Sequence, residues 1–317
     1  MSHVRIIFIF LLLFTIGCTK VVKESEEILL ENHSVETLTI NGQSFEIIPV
    51  YDRYLDYVLD VEKEDADRNE SFLEHVFLSF SEEIYGHSYY EQDEFYFATP
   101  RNISKLKETI KLLDEKIPEL LISIQKVLEN ATFLLPGEHY PIYIQPYNPD
   151  FNSYEMSGIV GITMPNGAIV LQIDPRTFQE DLFMYMVAHE YHHAVYIDKS
   201  DWRFRKSDLL NDVIMEGKSD TFATLMFPET LVPWLAPLSD KEKEIVLEYV
   251  REHHNSFDYN NTYILFIGSR TQGIPRWSNY KIGFHMVDEY LKKYPDLAIE
   301  EWTVVNAKEI FEQWKSE

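Results

Sequence analysis

The chain has 317 residues, with 28 Lys+Arg against 53 Asp+Glu and a formal net charge of −25. That acidic balance excludes nucleic acid as a partner, because a phosphate backbone would be repelled. A 45% hydrophobic share with 20 Phe, 20 Tyr and 5 Trp excludes global disorder, and one cysteine excludes a disulfide framework or a multi-cysteine metal site.

The N-terminus places Arg5 before an apolar run from Ile6 to Ile16, then Gly17 and Cys18. Residues 1–17 have the layout of a secretory signal peptide. The run is too short to span a bilayer, which takes about 20 residues. Thr15-Ile16-Gly17-Cys18 resembles a bacterial lipobox, so Cys18 is expected to become a lipidated first residue at the extracytoplasmic face of the cell membrane. An anionic chain is repelled by an anionic membrane surface, so the lipid would do the holding. Residues 18–34 read as a tether.

Residues 35–100 form an acidic N-terminal region. Asn41-Gly42, flanked by Leu38, Ile40, Phe45 and Ile47, predicts a hairpin over 37–49. From Tyr51 to about Phe80 the apolar residues recur at helical steps. Residues 19–99 carry 20 acidic and 5 basic side chains. They read as a solvated helical surface, because no oxygen-ligand loop with a central glycine appears.

Residues 101–317 read as one larger domain. Residues 102–130 predict one broken helix or two short ones, capped by Asn102 and punctuated by Pro118. Tyr140–Tyr147 predicts a strand. A second hairpin is expected over 158–173 around Pro165-Asn166-Gly167, leading into a helix start at Asp174-Pro175. Helices are expected over 177–198, 207–227, 239–254 and 279–294, with a short one near 306–314.

The chemistry lies in His189-Glu190-Tyr191-His192-His193. His189 and His193 are four apart on a helix and share one face. That spacing lets two imidazoles reach one zinc ion at about 2.0–2.1 Å. Glu190 is the usual general base of this motif, taking a proton from the attacking water. His192 points about 100° away and stands outside the ligand set. A catalytic zinc needs a third protein ligand, with the fourth position left for water. Glu216, 23 residues after His193 on the next helix, is the candidate. Asp220 shares its face and could accept the other ring N–H of a ligand histidine. Gly217 removes a side chain where two helices must approach, offsetting the roughly 1 kcal/mol that glycine costs in a helix.

These residues, His189-Glu190-x-x-His193 with Glu216-Gly217-x-x-Asp220, resemble the gluzincins, zinc peptidases with an HExxH motif and a glutamate ligand. More closely, the chain is similar to the YjaZ-type predicted zinc-dependent protease family, a domain of unknown function. The likeness runs from about residue 105 to the C-terminus and includes Asn279-Tyr280-Lys281-Ile282-Gly283-Phe284. It implies an α+β, helix-rich, zincin-like catalytic domain with a small mixed sheet beside the HExxH helix. It implies one Zn2+ per chain on His189, His193 and Glu216, with Glu190 as base. Tyr280 is the candidate oxyanion stabiliser by the same resemblance, against a merely packed tyrosine; His285 is the other possible polariser. His253 and His254 read as structural, and His33, His75, His87 and His139 as surface residues.

In zincins an edge strand takes an extended peptide as an added strand. Ile159–Thr163 or Ala168–Ile173 could supply it, although apolar runs also describe interior strands. The expected function is a lipid-anchored zinc metallopeptidase acting on peptide or protein substrates. Its rivals are a zinc amide hydrolase on cell-wall peptides and a non-catalytic binding or chaperone-like lipoprotein.

Overall fold

A computed structural model describes residues 30–32, 34–63, 66–85, 97–200, 202 and 206–315. The expected signal peptide, Cys18, most of the tether, His33 and His87 lie outside these residues. Among the described residues no helix is long and apolar enough to cross a membrane.

Strands β1 (Glu36–Ile40) and β2 (Gln43–Pro49) make the hairpin expected at Asn41-Gly42. Both turn residues have positive φ, 51° and 83°, as a two-residue hairpin turn of this kind requires. Next come β3 (Ile142–Pro146), β4 (Ile159–Thr163) and β5 (Ile169–Ile173). The sheet order is β1-β2-β3-β5-β4. The centre is parallel, β2 to β3 and β3 to β5, and both outer pairs are antiparallel. Every residue of β3 and β5 is buried, so the middle of the sheet is covered on both faces. β4 is an outer strand, and β5 is interior. The hairpin of the acidic N-terminal region thus belongs to the same sheet as β3–β5.

The helices make this an α+β, helix-rich fold. They are α1 (Tyr51–Val61), α2 (Arg68–Phe72), α3 (Leu78–Tyr85), α4 (Ile103–Leu134), α5 (Glu180–Lys199), α6 (Leu209–Met226), α7 (Asp240–His253), α8 (Tyr259–Ile267), α9 (Ser278–Lys293), α10 (Ile299–Val304) and α11 (Ala307–Lys315). A π-helical turn, Leu73–Phe77, joins α2 to α3. The expected start of α5 at Asp174 moves to Glu180; Asp174 instead accepts from the Arg176 backbone and closes a turn. The short helices α8 and α10 had no counterpart in the sequence pattern.

The break expected at Pro118 does not occur. Residues 103–134 are a single helix that runs through Pro118. Proline removes the N–H that would bond the carbonyl four residues back, here that of Asp114. Asn32 Nδ2 donates to that carbonyl at 3.1 Å and replaces the missing donor. The Asp114 carboxylate also accepts the backbone N–H groups of Glu31 and Asn32, at 2.8 Å each, and the Tyr51 hydroxyl at 2.6 Å. The buried stripe continues in phase across the proline through Leu113, Ile117, Leu120 and Ile124. Packing on both sides and a borrowed donor keep the helix whole.

Two apolar clusters result. One joins the sheet to α1, α4 and α5 through Ile144, Leu171, Leu128 and Tyr191. The other joins α6, α7, α8, α9 and α11 through Val213, Val250, Leu265, Ile282 and Phe311. α5 and α6 meet where the two clusters adjoin, and the histidines lie there.

Candidate metal centre and catalytic site

α5 is buried almost all round from Leu182 to Tyr196, the mark of a central helix. Glu180 and Asp181 in its first turn and Lys199 in its last complement the helix dipole. His189, Glu190 and His193 are consequently 3%, 4% and 6% exposed. α6 is started by Asp208, whose carboxylate accepts from Asn211 N. It packs along α5 and presents Glu216.

His189 Nε2 and His193 Nε2 lie 2.9 Å apart. Glu216 Oε2 lies 3.3 Å from the first and 3.2 Å from the second. Two imidazole nitrogens and a carboxylate oxygen thus form a triangle with sides of about 3 Å. Donors around a tetrahedral ion with 2.0–2.1 Å bonds stand about 3.3 Å apart, so this N, N, O set fits zinc. Glu190 is also near, with an oxygen within 4.8 Å of the ring nitrogens. Its carboxylate is engaged elsewhere: Thr163 Oγ1 donates to Glu190 Oε2 at 2.7 Å. Glu216 therefore closes the triangle and Glu190 flanks it.

The electrostatics point the same way. Three acidic side chains, Glu190, Glu216 and Asp220, surround the imidazoles, and the ion pairs of Glu216 and Asp220 are with those histidines. Burial disfavours charge on His189, but Asp220, Glu216 and Glu190 outweigh it and raise its pKa well above the ordinary value. Burial likewise opposes charge on Glu216, yet His193 and His189 hold it down to about 2. Burial raises Glu190, against the pull of His193, His189 and Thr163. Such a concentration of buried negative charge is stabilised by a bound cation.

Asp220, fully buried, accepts from His189 Nδ1 at 3.1 Å, from the Tyr185 hydroxyl at 3.0 Å and from Trp234 Nε1 at 3.0 Å. A carboxylate can only accept, so Nδ1 of His189 carries its proton and Nε2 turns to the triangle. Around His193 the contacts are with Ser219: its Oγ lies 2.9 Å from His193 Nδ1 and 2.9 Å from His192 Nδ1. His192 stands off the triangle, stacked on Trp302 with ring centroids 5.4 Å apart.

Tyr280 packs near the centre, its ring 6.3 Å from His189, Trp234 and Phe266. Its position follows from a close helix crossing. A Cβ on Gly217 would stand 2.1 Å from the Gly283 carbonyl carbon, and one on Gly283 2.0 Å from Val213 O. α6 and α9 touch backbone to backbone there. His285 lies apart, lining a cavity with Lys243, Arg251, Glu289 and Trp314. His253 Nδ1 bonds Tyr249 O at 2.9 Å, and His254 Nδ1 bonds Arg251 O at 2.8 Å, both within α7 and its C-cap.

A cleft crosses the site in two lobes that share Gly161, His189, Glu190 and Tyr280. One, of about 120 Å³, includes His193, Glu216 and Thr163. The other, of about 270 Å³, has walls of Met186, Trp234, Phe266 and Trp277. β4 runs past both, and at Gly161 a Cβ would stand 2.5 Å from Glu190 Cγ and Oε1. Trp277 is held at φ 61° by its N–H bond to Phe266 O at 2.9 Å. Such a backbone is rare for a bulky residue and often marks a functional wall.

Thr163, Ser219, Gly161 and Trp234 escaped the sequence reading. They carry no motif of their own, and only the fold brings them to Glu190, His193 and Asp220.

An α+β fold with a buried imidazole pair on one helix and a glutamate on the next defines the class of HExxH-type metal sites. The chain belongs to the family described as Predicted Zn-dependent protease (DUF2268), whose profile matches residues 121–312. It is also similar to the uncharacterized protein YjfC of Bacillus subtilis, 22% identical over 177 residues. That stretch covers 53% of this chain and 59% of YjfC, less than two thirds of the relative's length. No solved structure gives a significant match.

Proposed function

We propose that the protein is a zinc-dependent metallopeptidase held by a lipid on Cys18 at the extracytoplasmic face of the cell membrane. The observation that carries the catalytic part is the triangle of His189, His193 and Glu216 with Glu190 beside it and an outer strand alongside. The three side chains would hold the ion. Zinc there would supply Lewis acidity, polarising the scissile carbonyl and acidifying a water.

Every other part belongs to the chain. Glu190 accepts the water's proton and returns it to the leaving amine, a task suited to a carboxylate whose basicity burial has raised. Thr163 fixes which way that carboxylate faces. Tyr280 offers a phenol toward the charge that develops on the carbonyl oxygen. The outer edge of β4 can pair with an extended peptide, so main-chain hydrogen bonds lay the bond to be cut across Glu190. The aromatic lobe beside it would receive an apolar side chain.

Hydrolysis of peptides by the zinc-loaded wild type and by Glu190→Gln tests the reading. Loss of hydrolysis in the variant, with zinc content preserved, is expected; equal rates would end it. For the anchor, Cys18→Ala is expected to move the protein from the membrane to the soluble fraction of cells.

A further inference from the structure

α10 is six residues long and lies more than a hundred positions from the histidines in sequence, yet it reaches the metal site. Three contacts fix it there. Trp302 stacks on His192 at an interplanar angle of 19°. Lys218 Nζ, fully buried, donates to Thr303 O at 2.8 Å and Val305 O at 2.6 Å, pinning the end of α10 to α6. Thr303 Oγ1 lies 3.3 Å from His192 Nε2.

The direction of each hydrogen bond follows from counting protons. The Thr303 hydroxyl has one hydrogen and donates it to Ile299 O at 2.7 Å. Toward His192 it can only accept, so His192 Nε2 carries the ring proton and Nδ1 is bare. His192 is fully buried and its two ring nitrogens meet hydroxyls, Ser219 and Thr303, with no carboxylate between them, so the ring is the neutral imidazole with one N–H. The Ser219 hydroxyl must then donate to His192 Nδ1. Having spent its hydrogen there, Ser219 can only accept from His193 Nδ1. His193 therefore holds its proton on Nδ1, and the lone pair of Nε2 faces His189 and Glu216.

We propose that Thr303 is a positioning residue for the metal centre: through His192 and Ser219 it sets the tautomer of His193 that can bind the ion. This rests on the reading that His193 faces the ion through Nε2, but not on the protein being a peptidase. The two ligand histidines are thus oriented differently, His189 directly by the Asp220 carboxylate and His193 by a neutral chain of hydroxyls and an imidazole. Partners of this kind beyond the ligands typically change metal affinity by about 10–100-fold when removed.

The test uses the full-length mature chain labelled with 15N-histidine. In the metal-free protein, long-range 15N–1H correlation should find His193 protonated on Nδ1 and His192 on Nε2. Thr303→Val removes the acceptor. It should bring a second tautomer into both rings and weaken zinc, measured by chelator competition, at least about tenfold. Thr303→Ser should restore both readouts. If Thr303→Val does not fold, Ser219→Ala interrupts the same chain one step nearer and should show the same loss at His193. A wild-type His192 protonated on Nδ1 would overturn the proposal. So would a folded Thr303→Val that keeps wild-type tautomers and zinc affinity. A chain that passes these tests but cleaves no peptide sinks the proposed activity and leaves the relay standing.

Discussion

Thr163 Oγ1 donates a 2.7 Å hydrogen bond to Glu190 Oε2, tying the carboxylate beside the imidazoles to the outer strand of the sheet. The same hydroxyl lies 3.0 Å from the Glu190 carbonyl, so strand and helix are joined where the proposed chemistry occurs. Thr163→Val keeps the shape of the side chain and removes the donor. We expect kcat to fall about 10–100-fold, the scale on which a slight misplacement of a reacting group acts. Zinc content should stay at the wild-type level, and Thr163→Ser should recover most of the rate.

Gly161 makes the complementary prediction. A methyl group there would occupy the place of Glu190 Cγ and Oε1, 2.5 Å away. Gly161→Ala should displace the carboxylate and lower kcat by about a hundredfold or more, with metal binding retained. Steady-state kinetics paired with elemental analysis of the same sample check it.

Glu216 and Asp220 should separate by what they do to the metal. Glu216→Ala removes a corner of the triangle and should lower zinc stoichiometry after dialysis. Asp220→Ala leaves the triangle in place but frees the His189 ring and strands the Trp234 Nε1–H, while the Tyr185 hydroxyl keeps the Asp220 backbone carbonyl at 3.0 Å. It should weaken zinc by about 10–100-fold and lower stability by roughly 1–3 kcal/mol. Chelator competition and urea denaturation give the two numbers.

An acid-sensitive lock sits at the turn that leads from β5 toward α5. Asp174, 2% exposed, accepts from Arg176 Nε at 2.8 Å and from Ser153 Oγ at 2.8 Å. Burial opposes its ionisation, but Arg176 and Ser153 prevail and its pKa is lowered from 3.8. A depressed carboxylate contributes stability that is complete above the unfolded pKa. That stability is lost as pH falls through the folded pKa. Stability from this group should therefore be flat at neutral pH and decline below about pH 4. Asp174→Asn should lose roughly 1–3 kcal/mol at pH 7 and show a shallower acid limb in urea titrations at several pH values.

The legible parts of the site were those written in one helix. His189 and His193 follow from a four-residue spacing, and Glu216 with Asp220 repeats that spacing on the neighbouring helix. The unread parts depend on which segments become neighbours. Thr163 and Glu190 are 27 positions apart and meet because β4 packs against α5, a neighbour its apolar sequence could not reveal. α10 was missed because six residues are too few to display a helical period. Pro118 was overread, since its cost is local and Asn32, far away in sequence, offsets it.

Gly217 and Gly283 let two helices share a seam of bare main chain. Glu216 stands next to that seam on one helix, and Tyr280 a turn away on the other. The separation of the two backbones that carry carboxylate and phenol is accordingly set by skeleton, where no rotamer can adjust it. Restoring even one methyl there would act like a wedge driven between the jaws of the cleft.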